Sequence, residues 1–211
     1  GILVAWAVGM LLAACPLNGL AQERSAPAAS ASAGQYIVLT LSGKAEYAIA
    51  GATNWLAATV NQTLAVGDKF RTGDKCRATL RLPNLTVIRV NENSTLEIRK
   101  PMQASDRPSL DFKAGAGYFF GRGKPGEINL RTPMATAAIR GTEFNVEVGD
   151  DGRTTITLLE GELGLASESG GMSLKAGEQV AIRSGSPPAK TTVVQAINII
   201  QWSLYYPGVL D

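Results

Sequence analysis

The sequence contains no histidine and only two cysteines. Without an imidazole there is no Ser-His-Asp relay, no Cys-His pair and no histidine-ligated zinc. Two cysteines are also too few for an all-cysteine zinc site or for a framework of disulfides. No pair of acidic residues is marked out by its spacing for glycoside hydrolysis or proton transfer. We therefore predict a protein that is not an enzyme and that uses no metal or other cofactor.

Charged and aromatic side chains are also scarce. Charged residues make up 18% of the 211 residues, the formal net charge is +2, and aromatic residues make up 6%. A balance so close to neutral does not favour nucleic acid as a partner. The 23 glycines and 10 prolines indicate many turns and small packed side chains. This composition favours an all-β fold.

The first residues are typical of an export signal. Residues 2–14 are apolar and uncharged, which suits a secretory signal and is too short to span a bilayer as a helix. Small residues at Gly19 and Ala21 predict cleavage after Ala21, so we expect residues 1–21 to be a signal peptide. Residues 22–34 are rich in Ala, Ser and Pro and are expected to be a flexible spacer.

Two alternatives to this cleavage stay open. Leu12-Ala13-Ala14-Cys15 resembles a lipobox, in which Cys15 would be lipidated and would provide the one membrane attachment that we expect. A longer signal anchor over residues 2–20 is the other alternative, although Pro16, Asn18 and Gly19 shorten its apolar part.

Short stretches in which apolar and polar residues alternate recur from Gln35 onward. This period of two is typical of strands that are covered on one face. In one stretch Ala78, Leu80 and Leu82 share a face, which we predict to be core. The predicted strands include residues 36–41, 77–82, 86–90, 95–98, 143–148 and 154–159.

A strand pattern that ends in glycine occurs at residues 110–115, 156–161 and 172–177. Glycine at such a place predicts a positive φ at a turn before the next strand. Units of this kind can build a twisted β-roll or solenoid, which we favour, or a two-sheet β-sandwich. The β domain is predicted to span residues 35–190.

The pattern changes at the end of the chain. Val194, Ile197, Ile200 and Leu204 lie three or four residues apart, which predicts a short amphipathic helix that ends before Pro207. Residues 191–211 are therefore expected to form a C-terminal helical tail, and to begin a region of helical repeats if more chain follows.

Several runs agree in order and spacing with one protein family. The specific runs are Arg131-Thr132-Pro133-Met134-Ala135 and Arg140-Gly141-Thr142-Glu143-Phe144, and the supporting runs are residues 64–73, 93–98, 159–163 and 176–179. Over residues 35–182 the chain resembles the FecR domain proteins. The resemblance implies an extracytoplasmic all-β domain without enzymatic activity, in a bacterial protein that is periplasmic, associated with the outer membrane or secreted.

The resemblance leaves two functions open. Residues 202–207 are similar to the junction at which many secreted members pass into tetratricopeptide repeats, so we predict a binding or scaffolding module. The alternative is the extracytoplasmic sensor domain of a FecR-type anti-sigma regulator in iron-transport signalling. The expected partner is a protein or a cell-envelope glycan.

The motif residues are the candidate site, with mostly structural roles. Arg140 is expected to pair with Glu143 or Glu160 at a turn. Gly141 and Gly161 are expected at strand ends with positive φ, where valine would lower the melting temperature. The full set is Arg131, Thr132, Pro133, Arg140, Gly141, Thr142, Phe144, Gly161 and Gly177.

Other conspicuous residues have plain structural interpretations. Asp150-Asp151-Gly152 is expected to be a hairpin turn rather than a calcium loop, since further oxygen ligands at regular spacing are missing. Trp55 is expected in the core rather than on a sugar-binding surface, and Cys76 as a small packed thiol. The basic residues are expected on a mixed-charge solvated face; they are Lys69, Arg71, Lys75, Arg77, Arg81, Arg89, Arg99 and Lys100.

Overall fold

The computed structural model describes residues 35–101, 107–121 and 126–192, with the backbone alone at Gly126, Thr142, Thr191 and Thr192. Within these ranges the chain forms β-strands and turns and no helix, which confirms the predicted all-β fold. The predicted leader, spacer and amphipathic tail helix lie outside the described residues. In the described part, no helix is long and apolar enough to cross a membrane.

Fifteen strands follow one another in the described ranges. They are β1 (Tyr36–Ser42), β2 (Ala45–Ala48), β3 (Leu56–Ala57), β4 (Thr63–Leu64), β5 (Lys69–Thr72), β6 (Arg77–Arg81), β7 (Val87–Val90), β8 (Thr95–Arg99), β9 (Ser109–Phe120), β10 (Gly126–Arg131), β11 (Ala135–Val148), β12 (Thr154–Ser167), β13 (Gly170–Lys175), β14 (Glu178–Ile182) and β15 (Ala189–Thr192). All six predicted strands lie within observed ones, apart from one end residue at Leu82 and one at Thr86. The last strand extends two residues beyond the predicted end of the β domain.

The strands form one hydrogen-bonded sheet that divides into two arms. In the first arm the order is β4-β1-β6-β7-β9-β11-β12-β14-β15, and every pair is antiparallel. In the second arm the order is β3-β2-β5-β8-β9-β10-β11-β12-β13, and only the β9–β10 pair is parallel. The long strands β9, β11 and β12 belong to both arms, one half of each strand to each arm. This continuity fits the predicted roll better than the two separate sheets of a sandwich.

Three glycines, Gly115, Gly141 and Gly161, lie where the long strands pass from one arm to the other. Gly115 in β9 and Gly161 in β12 have φ of 88° and 112°, as predicted, but they bend continuous strands instead of ending them. Gly177 has φ of 82° and does separate two strands, β13 and β14. The prediction of a positive φ was wrong for Gly141 in β11, which the structure does not place in that region.

Gly141 is required for a different reason, which is a close approach between strands. A Cβ atom on Gly141 would lie 2.3 Å from the carbonyl oxygen of Glu160, and one on Gly161 would lie 2.3 Å from the Cα of Gly141. Any larger residue must push β11 and β12 apart at this place. The register between the two strands is irregular here, between Arg140 and Phe144, as expected at a bulge that bends a sheet.

One hydrophobic core lies under both arms. Its cluster contains Phe70 and Phe112 from the second arm and Phe119 and Phe144 from the first, all four fully buried. The rings of Phe119 and Phe144 stack with their centroids 4.3 Å apart. The residues predicted on the core face of β6 and the turn after it are buried as expected; they are Ala78, Leu80 and Leu82. The alternation read from the sequence therefore identified the inward faces.

Candidate functional site

A groove of about 780 Å³ crosses the outer face of the second arm. Its floor consists of small exposed residues on β11 and β12: Thr136, Ala138, Gly164 and Ala166. They alternate with Ala137 and Leu165, which point into the core, so strand geometry turns them outward. A Cβ atom on Gly164 would meet nothing within 4 Å. The floor is therefore open, shallow and mostly apolar.

Cationic side chains stand at one side of the groove. Arg99 and Lys100 at the end of β8, and Arg131 at the end of β10, line it and are exposed. Lys100 and Arg131 form no ion pair with another described residue. Such a surface can receive an apolar segment that carries an acidic group, because the cations are already in place and pay little desolvation on pairing.

Glu97 is the acidic residue on the groove wall. Its carboxylate forms ion pairs with Arg99, at 2.7 Å, and with Lys113, at 3.3 Å. Burial works to raise the pKa of Glu97, but the hydrogen bonds from Arg99 and Lys113 outweigh it and leave the pKa below the usual value. The carboxylate is thus ionised at neutral pH and neutralises Arg99. The free positive charge of the groove resides on Lys100 and Arg131.

Thr132 and Pro133, next to Arg131, form the tight connection between β10 and β11. The Thr132 hydroxyl is buried, accepts a hydrogen bond from the amide of Ala135 at 3.2 Å and lies 3.2 Å from the carbonyl of Ala135. It also accepts a hydrogen bond from the Thr154 hydroxyl at 3.1 Å. Thr132 thereby connects the hairpin to the start of β12.

Arg140 projects from β11 into solvent, with 74% of its side chain exposed. Its partner is Glu127 of β10, at 3.8 Å, whereas pairing with Glu143 or Glu160 was expected. Glu143 instead accepts a hydrogen bond from the Tyr118 hydroxyl. Because Glu127 lies directly opposite Arg140 in the β10–β11 register, this is a cross-strand pair of modest strength.

The motif residues thus divide between scaffold and groove. Thr132, Pro133, Gly141, Phe144, Gly161 and Gly177 shape the turns, bends and core, and Thr142 lies in β11 beside Gly141. Arg131 is the member of the set that lines the groove. The groove was not predicted from the sequence. The pattern that could have indicated it is small residues at alternate positions of two consecutive strands, 136 and 138 in β11 and 164 and 166 in β12.

Two of the basic residues, Arg71 and Lys75, have acidic side chains beside them. Arg71 pairs with Glu46 at 2.6 Å, and Lys44 reaches the same carboxylate at 3.1 Å. Hydrogen bonds from Arg71 and Lys44 lower the pKa of Glu46. The backbone amide of Lys75 donates to Glu92. At these positions acidic side chains are interspersed with basic ones, as predicted for a mixed-charge face.

The expectation of Trp55 in the core was wrong. Trp55 is half-buried and lies outside the core cluster, and the Arg71 guanidinium sits 4.0 Å from the centroid of its ring. The indole is held by a cation–π contact, and the Arg71 charge is held in turn by Glu46. Its place beside an exposed two-stranded edge, β2–β3, explains why it is not enclosed.

Asp150, Asp151 and Gly152 form a hairpin turn, as predicted. The Gly149 amide donates to the Arg153 carbonyl at 2.9 Å, and the Asp151 carboxylate accepts from the Arg153 amide at 3.0 Å. Across the described ranges there is no group of three or more side chains arranged to hold a metal ion.

Cys76 is buried and unpaired, as expected of a packed thiol. Burial raises the pKa of this thiol, against a smaller opposing hydrogen bond from the backbone at Gly73. The thiol is therefore protonated and unreactive at neutral pH.

Residues 68–164 match the sequence model of the family described as FecR protein. No curated protein matches the chain significantly. Two crystal structures of a "putative anti-sigma factor" from Parabacteroides distasonis ATCC 8503, at 1.65 Å and 2.50 Å resolution, have a similar fold. The similarity has a TM-score of 0.52 in both cases, with 19% and 20% identity, over 62% and 63% of each chain. The match therefore spans less than two thirds of the length of these proteins. The family match begins just before β5 and includes the bends at Gly141 and Gly161. Residues 68–164 of the chain are therefore similar to the FecR protein family.

Proposed function

We propose that the chain acts as the sensor domain of a FecR-type regulator, and that it works by binding a protein. The observation that carries the proposal is the family match over residues 68–164, together with a fold shared with proteins named as anti-sigma factors. This favours the second of the two functions considered from the sequence. The scaffolding alternative depended on residues 202–207, which lie outside the described residues.

The groove of the second arm is the binding site in this proposal. Its floor of small residues lets a peptide backbone approach the sheet closely, and Val66 in its lining adds exposed apolar surface. Lys100 and Arg131 provide charges for an acidic side chain of the partner. Burial of apolar surface gives the affinity, and the two cations give the orientation.

Export to the periplasm is part of the same proposal. The apolar run over residues 2–14 and the small residues at Gly19 and Ala21 support it. Mass spectrometry of the exported protein tests the processing. A first residue of Gln22 supports simple cleavage, whereas an acylated Cys15 as the first residue would show a lipid anchor instead.

The regulatory role is tested by transcript profiling in the bacterium that produces the protein. We compare the unmodified strain, a strain lacking the gene, and strains carrying Ala138→Trp or Glu162→Trp. Ala138→Trp fills the groove floor. Glu162→Trp adds the same side chain to the same outer face of the second arm, outside the groove, where Glu162 is exposed.

If the chain is a regulator that uses the groove, the strain with Ala138→Trp should show the same transcript changes as the strain lacking the gene. The strain with Glu162→Trp should show the transcript levels of the unmodified strain. If loss of the gene changes no transcript level, the regulatory proposal is wrong. If loss of the gene changes transcripts and Ala138→Trp does not, the role stands and the groove is not the binding site.

A further inference from the structure

A second concave surface, the first-arm cleft, lies on the outer face of the first arm and has a volume of about 480 Å³. Its floor is a row of residues that the register places side by side across β9, β11, β12 and β14: Ala116, Glu147, Thr155 and Ala181. Glu147, Thr155 and Ala181 alternate with buried residues of their own strands, so they face outward. Glu147 is the only long side chain of this row, and the floor is otherwise open.

Two arginines stand at one end of this cleft. Arg153 directly precedes Thr154 and Arg183 directly follows Ile182, and Thr154 and Ile182 are paired across β12 and β14. The two arginines are therefore neighbours across these strands, and both line the cleft and are exposed. Like charges at such opposite positions repel each other and destabilise a sheet. An anion bound between the two guanidinium groups would remove this repulsion.

The acidic side chains near the cleft do not neutralise the two arginines. Neither arginine forms an ion pair with another described residue. The Glu147 carboxylate accepts a hydrogen bond from the Asn145 side chain at 2.9 Å. Glu92 and Asp151 accept hydrogen bonds from backbone amides at 2.7 Å and 3.0 Å. The positive charge at this end of the cleft is thus available to a ligand.

We propose that the first-arm cleft binds a small molecule with a phosphate monoester at one end and an ammonium group at the other. A phosphate monoester carries nearly two negative charges and three acceptor oxygens, which two neighbouring guanidinium groups match, whereas one guanidinium suffices for a carboxylate. Glu147, exposed on the floor of the cleft, is the acceptor for the ammonium group. The volume of the cleft lies within the range of about 300–1,000 Å³ that is usual for small-molecule sites.

This site is separate from the groove of the second arm, and the two share no lining residue. The binding of a phosphate compound in the first arm therefore does not depend on the proposed regulatory function. Its failure would leave that proposal unchanged.

The test is a titration of the purified protein, followed by the NMR shifts of its backbone amides. The probes are glucosamine 6-phosphate and glucose 6-phosphate, which has a hydroxyl in place of the ammonium group. We expect both probes to cause saturable shifts around Arg153 and Arg183. The dissociation constant of glucosamine 6-phosphate should be lower by about two- to fivefold, because its ammonium group gains one exposed ion pair with Glu147.

Substitutions then identify the groups that bind. Arg153→Gln and Arg183→Gln should each raise the dissociation constants of both probes about tenfold or more, because each removes charge-assisted hydrogen bonds to the phosphate. Arg107→Gln is the matched control, since Arg107 is an exposed arginine that pairs with Glu127 outside the cleft, and it should change neither constant. Glu147→Gln should abolish the difference between the two probes and leave glucose 6-phosphate bound at least as tightly.

A lipid could present the same phosphate monoester, and vesicles distinguish this source. The protein and its Arg183→Gln variant are sedimented with phosphatidylcholine vesicles with and without phosphatidate. We expect no co-sedimentation, since a net charge of +2 gives the protein little general attraction to an anionic surface. Binding to phosphatidate vesicles that Arg183→Gln removes, with no saturable shift from either sugar phosphate, would overturn the assignment to a small molecule.

Three other results would overturn the proposal. The absence of a saturable shift with both sugar phosphates and of binding to phosphatidate vesicles would show that the two arginines do not form a phosphate site. An equal loss of affinity in Arg183→Gln and Arg107→Gln would show that phosphate associates with surface charge in general. Equal dissociation constants for the two probes in the parent protein would overturn the role of Glu147 and with it the ammonium group of the ligand.

Discussion

The contact between Gly141 and Gly161 gives the sharpest stability prediction, because the chain contains glycines that separate its two physical causes. At Gly161 an added Cβ meets both a positive φ of 112° and atoms at 2.3 Å and 2.4 Å. At Gly141 it meets crowding without a positive φ. At Gly177 it meets a positive φ of 82° with nothing within 4 Å, and at Gly164 it meets neither. Alanine at each position adds only the Cβ.

The magnitudes follow from these two causes. Left-handed backbone strain costs about 1–3 kcal/mol for a residue other than glycine, and overpacking against backbone atoms costs about 1–3 kcal/mol. Gly161→Ala should therefore cost about 2–6 kcal/mol, and Gly141→Ala and Gly177→Ala about 1–3 kcal/mol each. Gly164→Ala should stay within about 0.5 kcal/mol of the parent.

The assay is thermal and denaturant unfolding of the four alanine variants and the parent. For a domain of this size about 1 kcal/mol shifts the melting temperature by about 2–4 °C, so Gly161→Ala should melt about 8–16 °C lower for a cost near the middle of its range. The double variant at Gly141 and Gly161 should cost less than the sum, because both Cβ atoms force the same separation of β11 and β12. If Gly164→Ala destabilises as much as Gly161→Ala, the close-approach argument is refuted.

Three further predictions concern the core, a hairpin and alkaline pH. Phe144→Ala removes a fully buried ring that stacks on Phe119 and should cost about 3–5 kcal/mol in urea unfolding; a cost below about 1 kcal/mol would contradict the packing. Thr132→Val removes the hydroxyl that joins the β10–β11 hairpin to β12 and should cost about 1–3 kcal/mol, whereas the same change at the exposed Thr136 should be close to neutral. Burial raises the pKa of Tyr36 to about 12, against a smaller opposing hydrogen bond from the backbone at Ser109. In the unfolded chain the phenol ionises near its ordinary pKa of 10.0. The Tyr36 contribution to stability is therefore complete below that pH and is lost as pH rises to about 12. Tyr36→Phe should reduce this decline when unfolding is measured across this range.

The candidate site was harder to predict than the fold. Thr132 and Phe144 were recognised from the motif, and the structure places Thr132 at a hairpin and Phe144 in the core. The groove was not predicted, because its walls come from β8, β10 and β13 and its floor from β11 and β12. Which strands are neighbours depends on pairings between distant residues, and no local pattern contains them.

The errors have the same origin. Arg140 was assigned to Glu143 or Glu160, but the β10–β11 hairpin brings Glu127 opposite it. Trp55 was assigned to the core because its neighbours in the sequence are apolar. In the structure it lies beside the short β2–β3 edge, where it is not enclosed. A side chain's neighbours along the chain did not indicate its neighbours in space.

By itself the sequence determined the all-β class, the strands and their inward faces, because alternation of apolar residues is a local property that a strand converts directly into two faces. It also identified Gly115, Gly161 and Gly177 as positive-φ positions, since glycine adopts them without strain. Only the tertiary structure decided that Gly115 and Gly161 bend continuous strands and that Gly141 is needed for contact. Those roles depend on the distance between two chain segments, and that distance exists only after the two arms close over their shared core.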